Sequence, residues 1–321
     1  MAELATSPRA FPNAKPATAV LSLFADYVTL FKFRVSLMVL ITAAVGLYLG
    51  DLRSGLNPFH YQSLLVLIGI ALVTAGSSAL NQVLERHSDA RMARTARRPM
   101  VTGRISLPHG LIAGFATILG GTLLLAFRSQ ALTATLTLLT AVSYVAIYTP
   151  LKRITTLNTF IGAFPGALPP LIGWTAARGL IEWPAIALFA VIFVWQFPHF
   201  MAIGWLYRDD YRHGGIRLAA TQQPIAWAAR STVFQALFYA LLMIPVSIWT
   251  TWLGVTGRPY AIIATLLSLG YLWYTIKFAA ILRDPNNQNR TPARNLLKAS
   301  VIYLPLLLAA MIANAQGRIW F

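Results

Sequence analysis

Cysteine is absent from the 321-residue chain. Disulfides, thiol nucleophiles and thiolate metal sites are therefore excluded. Charge is scarce: 11% of residues are charged and 57% are hydrophobic, too apolar for a water-soluble domain of this length. Acids are scarcest, with 9 Asp and Glu against 26 Lys and Arg. The first 20 residues also lack the basic and apolar regions of a cleavable signal. Residues 1–22 read as a flexible, cytosolic Pro/Ala-rich tail, followed by one transmembrane domain over 23–321.

What the chain does have is long uncharged runs. They cover residues 35–50, 61–84, 110–127, 129–151, 154–177, 183–207, 231–257, 259–276 and 299–317. Most reach the roughly 18–20 residues that a helix needs to cross about 30 Å of hydrocarbon. The first extends back to about Tyr27 with Lys32 and Arg34 at the interface. Backbone amides in lipid must bond within their own segment, so the runs predict nine transmembrane helices in an all-α bundle. With the N-terminus in the cytosol, 21 of the 26 basic residues fall on the cytosolic side; Arg53, Arg128, Arg178, Arg258 and Arg318 fall outside. That split supports the odd helix count. The net charge of +17 then reflects topology and contact with anionic membrane lipid. Nucleic acid is disfavoured, because the basic residues sit in short loops beside the membrane.

Two cytosolic loops concentrate polar groups, after the second and sixth membrane segments, which hints at an internal repeat. The first is "NQVLERHSDARMARTARRPM", residues 81–100. Asn81, Glu85 and Asp89 are spaced i, i+4, i+8 and share one helix face, each step rising about 6 Å. Three such oxygen-bearing groups suit Mg²⁺, which keeps waters and bridges to substrate phosphates. The simpler reading pairs the acids with Arg86 or Arg91 at a solvated helix end. The depth of Asn81 and the arginines that follow favour the metal–phosphate reading. Arg91, Arg94 and Arg98 share a face if the helix continues to Pro99, and arginine's planar fork matches phosphate oxygens. Lys152 and Arg153 reach the same surface from the fourth segment. Arg94, Arg98, Lys152, Arg153 and Asn158 are the candidate diphosphate-binding residues.

The second loop is "WQFPHFMAIGWLYRDDYRHGGIRL", residues 195–218. Asp209 and Asp210 have two readings of equal weight: a second metal or base-orienting site, with Asp210 as ligand, or salt bridges to Arg208 or Arg212. His199 is either a packed core histidine or a ligand near the cavity. In "TTLNTFIGAFPGALPPLIGW", residues 155–174, glycines and prolines permit close helix packing or leave room for a flat ligand.

Together these motifs resemble the UbiA-type intramembrane prenyltransferases. The resemblance rests on Asn81-x-x-x-Glu85-x-x-x-Asp89, "RTARRP", "YTPLKRITTLNTFIG", "GALPPLIGW" and "WQFPHFMAI". It runs from "FKFRVSLMVLIT" to about Leu218 and points to the heme-prenylating branch. "FKFR" departs from the expected Lys-Pro-Arg at Phe33, and His199-Asp209-Asp210-Tyr211 departs from the spaced aspartates of aromatic-acceptor members. The resemblance implies a nine-helix bundle around a central cavity, with farnesyl diphosphate and heme B as substrates and Mg²⁺ on the diphosphate. It implies a bacterial plasma membrane setting, and a partner such as heme A synthase or a respiratory oxidase. The implied reaction builds an allylic cation that a heme vinyl group attacks, with water trapping the product cation. Asn81, Glu85, Asp89, Asp209, Asp210 and His199 are then the candidate catalytic residues. His199, Tyr144, Tyr148 and Tyr211 are candidates for contacts to the heme or prenyl group. Two alternatives stand beside this: an aromatic quinone precursor as acceptor, and a transporter with an anion site.

Overall fold

The computed structural model describes residues 16–287 and 289–316, and among them there are nine helices long and apolar enough to cross a membrane. An additional helix, α1 (Pro16–Leu30), precedes them. The spans are α2 (Phe33–Arg53), α3 (Tyr61–Asp89), α4 (Leu107–Arg128), α5 (Ala131–Leu151), α6 (Asn158–Arg178), α7 (Trp183–Leu206), α8 (Ile225–Trp252), α9 (Arg258–Leu282) and α10 (Thr291–Ala313). The all-α expectation and the nine spans hold. The chain is an integral, multi-pass membrane protein.

Two boundaries differ from the sequence reading. Residues 16–22, read as part of the tail, are helical; residues 1–15 lie outside the described residues. The first span does not run back to Tyr27 either. The chain breaks at Phe31 and Lys32, and Lys32 takes a left-handed conformation (φ 47°) before α2. Gln82, fully buried in α3, seals this corner by donating to the Thr29 and Leu30 carbonyls at 2.7 and 3.0 Å. A helix end buried in apolar surroundings needs such a partner.

Consecutive helices pack as neighbours, and α2 also packs along α6. That crossing explains "GALPPLIGW". A Cβ at Gly173 would meet the Ala43 carbonyl oxygen at 1.9 Å, and one at Gly46 would meet the Pro170 oxygen at 1.9 Å. Backbone therefore touches backbone there, and close packing is what these glycines provide. In α5, residues Ser143–Tyr148 form a π-turn. Pro150, just beyond it, has no N–H to donate back into the helix. π-turns often mark functional positions, and this one carries Tyr144 and Tyr148.

Candidate active site

At the C-terminal end of α3, Glu85 and Asp89 line a cavity of about 200 Å³. Their i, i+4 spacing puts both on one face, and both are buried, at 8% and 1% exposure. Each meets a cation from another element. Lys152, just past α5, donates to Glu85 Oε1 at 2.7 Å. Arg98 donates to Asp89 Oδ2 at 2.6 Å. The other oxygens, Glu85 Oε2 and Asp89 Oδ1, have no hydrogen-bond partner among the described residues. Lys32 and Arg94 also line the cavity, so four cations surround two carboxylates.

Asn81 is placed differently from the expectation. It is fully buried, below the cavity wall. Its Oδ1 accepts from Lys32, and its Nδ2 donates to Thr149 Oγ1 at 2.9 Å. The amide that reads as a metal ligand instead holds Lys32. Lys32 was missed as a site residue because nothing in "LFKFR" signals the left-handed corner that turns it inward. Burial, opposed by Glu85, holds its ammonium down to about 7. For Lys152 the balance falls the other way: burial works against its charge, but Tyr148 and Glu85 outweigh it and its value is raised.

The arginine-rich loop is not a helical extension. α3 stops at Asp89, and residues 90–98 fold back as turns before a short helix, Pro99–Thr102. Thr95 Oγ1 donates to the Asp89 carbonyl at 2.9 Å. The fold-back brings Arg94 and Arg98 to the cavity wall and leaves Arg91 exposed. Arg94 lies over the rings of Tyr207 and Tyr211, at 5.2 and 5.5 Å, and donates to the Tyr211 hydroxyl at 3.2 Å. Burial raises the Tyr211 hydroxyl above its ordinary value, opposed by Arg94, so it stays protonated.

Tyr148, Tyr211 and Asn158 line the cavity, and Lys152 Nζ sits 4.5 Å from the Tyr148 ring centre. Asn158 Oδ1 is buried without a hydrogen-bond partner among the described residues. Tyr144 lies deeper, its hydroxyl 3.4 Å from Lys32 Nζ. Arg153 is exposed and is not brought to the cavity; the chain turns after Leu151 and points it to the surface.

The acids of the second loop also lie outside the cavity wall. Asp209 accepts from Arg290 at 2.7 Å, with Arg212 and Arg208 at 3.7 and 3.9 Å, so the salt-bridge reading holds for it. Arg290, more than 80 residues away in sequence, could not be anticipated as its main partner. Asp210 receives the backbone N–H groups of Ala93 and Arg94 at 3.1 and 3.3 Å. It fastens the arginine loop, with both oxygens engaged. His199 faces α10: its Nδ1 lies 2.7 Å from Ser300 Oγ, and its ring stacks on Trp195 at 4.9 Å. The packed-histidine reading fits this environment.

Among the described residues no group of three or more His, Asp or Glu side chains could hold a metal. Glu85 and Asp89, each with one uncommitted oxygen, do match the one or two carboxylates by which Mg²⁺ is usually held beside substrate phosphates.

The model of the UbiA prenyltransferase family matches residues 39–314. A curated relative from Koribacter versatilis, named protoheme IX farnesyltransferase, is 44% identical over 304 residues, covering 94% of this chain and 97% of the relative. The fold is similar to that of a digeranylgeranylglyceryl phosphate synthase: TM-score 0.72, 17% identity, 91% of this chain and 98% of the other. It is also similar to a UbiA homolog from Archaeoglobus fulgidus bound to GPP and Mg²⁺: TM-score 0.56, 16% identity, 89% and 99% covered.

Proposed function

The chain belongs to the UbiA prenyltransferase family, and from that premise we propose that it is a heme O synthase. It transfers the farnesyl group of farnesyl diphosphate to a vinyl group of heme B, with addition of water, releasing diphosphate. The observation that carries the donor half is the cavity in which Glu85 and Asp89 face Lys32, Arg94, Arg98 and Lys152. The acceptor half is supported by the 44% identity with a protoheme IX farnesyltransferase.

The residues suggest how the transfer runs. Four cations against two carboxylates leave a surplus that suits a polyanionic diphosphate. Arg94 and Arg98 offer planar forks to its oxygens, while Lys32 and Lys152 act as point charges. Charge that builds on the departing diphosphate is met by donors already in place, which lowers the barrier to carbon–oxygen cleavage. Glu85 and Asp89 would hold Mg²⁺, which supplies Lewis-acid stabilisation of the leaving group when bound. Tyr148 and Tyr211 line the cavity, where an aromatic ring face not taken by Lys152 or Arg94 would stabilise an allylic cation. The acceptor vinyl group then forms the new carbon–carbon bond, and water adds to the resulting cation with loss of a proton. No protein nucleophile is needed; the site supplies position and charge.

The same reading places the protein in a bacterial plasma membrane, with its N-terminus and site loops cytosolic. Its product would pass to a heme-modifying enzyme or a respiratory oxidase. Purified protein given labelled farnesyl diphosphate tests the reading. Label is expected on heme B and not on a hydroxybenzoate; the reverse preference would overturn the heme assignment and leave the family intact.

A further inference from the structure

The second cytosolic loop holds a positive surplus that the transfer chemistry does not use. Asp209 is one carboxylate among three guanidinium groups, those of Arg290, Arg212 and Arg208. The nearest other acid in sequence, Asp210, is committed to the amides of Ala93 and Arg94. Arg208 is not a surface anchor: it is 4% exposed and lies 4.5 Å from the Trp205 ring. Its Nε and the Nη2 of Arg212 are buried without a hydrogen-bond partner among the described residues. A buried charged donor without an acceptor is costly. Burial holds the Arg208 guanidinium below its ordinary value; Asp209 opposes this, and Arg212 and Arg290 add to it. Both the charge balance and the open donors call for an anion.

The cluster adjoins the cavity. Gly204 of α7 lines the cavity, and Arg208 follows four residues later. Ala219 and Ala220 form another part of the wall, and Arg212 Nε donates to the next carbonyl, that of Thr221, at 3.4 Å. We propose that Arg208, Arg212 and Arg290 form an oxyanion site beside the transfer cavity, filled by the carboxylates of the acceptor or by the phosphate of an anionic lipid. The carboxylate source rests on the heme reading above: heme B carries two propionates, and the cluster carries two surplus positive charges. The phosphate source is independent of that reading.

Binding, rather than turnover, separates this proposal from its parent. The full-length protein in nanodiscs is titrated with heme B and with its dimethyl ester, followed by absorbance. Retention of phosphatidylglycerol over phosphatidylcholine is measured in parallel. The same is done for Arg212→Gln and Arg290→Gln, both less buried than Arg208, with thermal unfolding as a check on folding. Wild type is expected to bind the free acid about tenfold more tightly than the ester, the size of one lost charged hydrogen bond. Each variant should lose that preference without weaker ester binding. Equal binding of the two hemes, with a phosphatidylglycerol preference that the variants lose, would support the site with phosphate as its ligand. If neither preference exists, or if both survive in the variants, the site is wrong. Failure of wild type to bind either heme would count against the acceptor reading, while the lipid measurement would still decide the cluster.

Discussion

The segments at the ends of α3 and α7 carry similar residues and use them differently. In the first, Glu85 and Asp89 face a cavity, and each spends one oxygen on a cation. In the second, Asp209 lies among arginines, Asp210 binds backbone, and His199 packs on Trp195 and Ser300. An acid beside a cavity with an oxygen to spare can serve a ligand. An acid whose oxygens are engaged serves the fold. On the function proposed above, partner geometry, not residue type, separates a reacting loop from a supporting one.

The largest effect expected from this comparison is in the first loop. Glu85→Gln keeps the shape, removes the charge and leaves Lys152 unpaired. It should lower farnesyl transfer by about a thousandfold, within the range for losing transition-state electrostatics; labelled product in washed membranes reads this. Asp89→Asn should do nearly as much, because it also releases Arg98.

Asp210→Ala sharpens the comparison, because it strikes the first loop from the second. Without its carboxylate, the amides of Ala93 and Arg94 lose their acceptor and the arginine loop loosens. KM for the prenyl diphosphate should rise about tenfold, as for one charge-assisted hydrogen bond, with little change in kcat.

A pH profile gives a smaller effect. Lys32 is held down to about 7, so the free protein carries that charge below about pH 7 and loses it as pH rises. Since the charged form attracts diphosphate, kcat/KM for the prenyl donor should fall several-fold between pH 6 and pH 9. Lys32→Arg, charged throughout, should flatten the profile. A wild-type profile that rises over this range would remove Lys32 from the donor site.

His199→Ala is expected to have the smallest effect on transfer, within about threefold of wild type. It should cost about 1–2 kcal/mol of stability through the lost stack and hydrogen bond, read as a lower midpoint of unfolding.

The membrane spans were legible because uncharged runs of this length have few other uses, and the 21-to-5 distribution of basic residues gave their expected orientation. The Glu85–Asp89 pair was legible from helical spacing. Asn81 shares that spacing, yet its depth gives it to Lys32 instead. The sequence could not show that α3 ends at Asp89, because nothing in "ARMARTARR" stops a helix before Pro99. The fold-back depends on Thr95 bonding to the Asp89 carbonyl and on Asp210 bonding from more than 100 residues away. Lys32 and Arg290 escaped for the same reason: their roles come from tertiary contacts with no local signature.

The comparison of the loops comes down to one ratio. Diphosphate release from farnesyl diphosphate in the presence of heme B, measured side by side for Glu85→Gln and Asp209→Asn, tests it. A loss of about a thousandfold in the first and under about tenfold in the second is predicted. Equal losses, or a larger loss in Asp209→Asn, would contradict the division between a reacting loop and a supporting one.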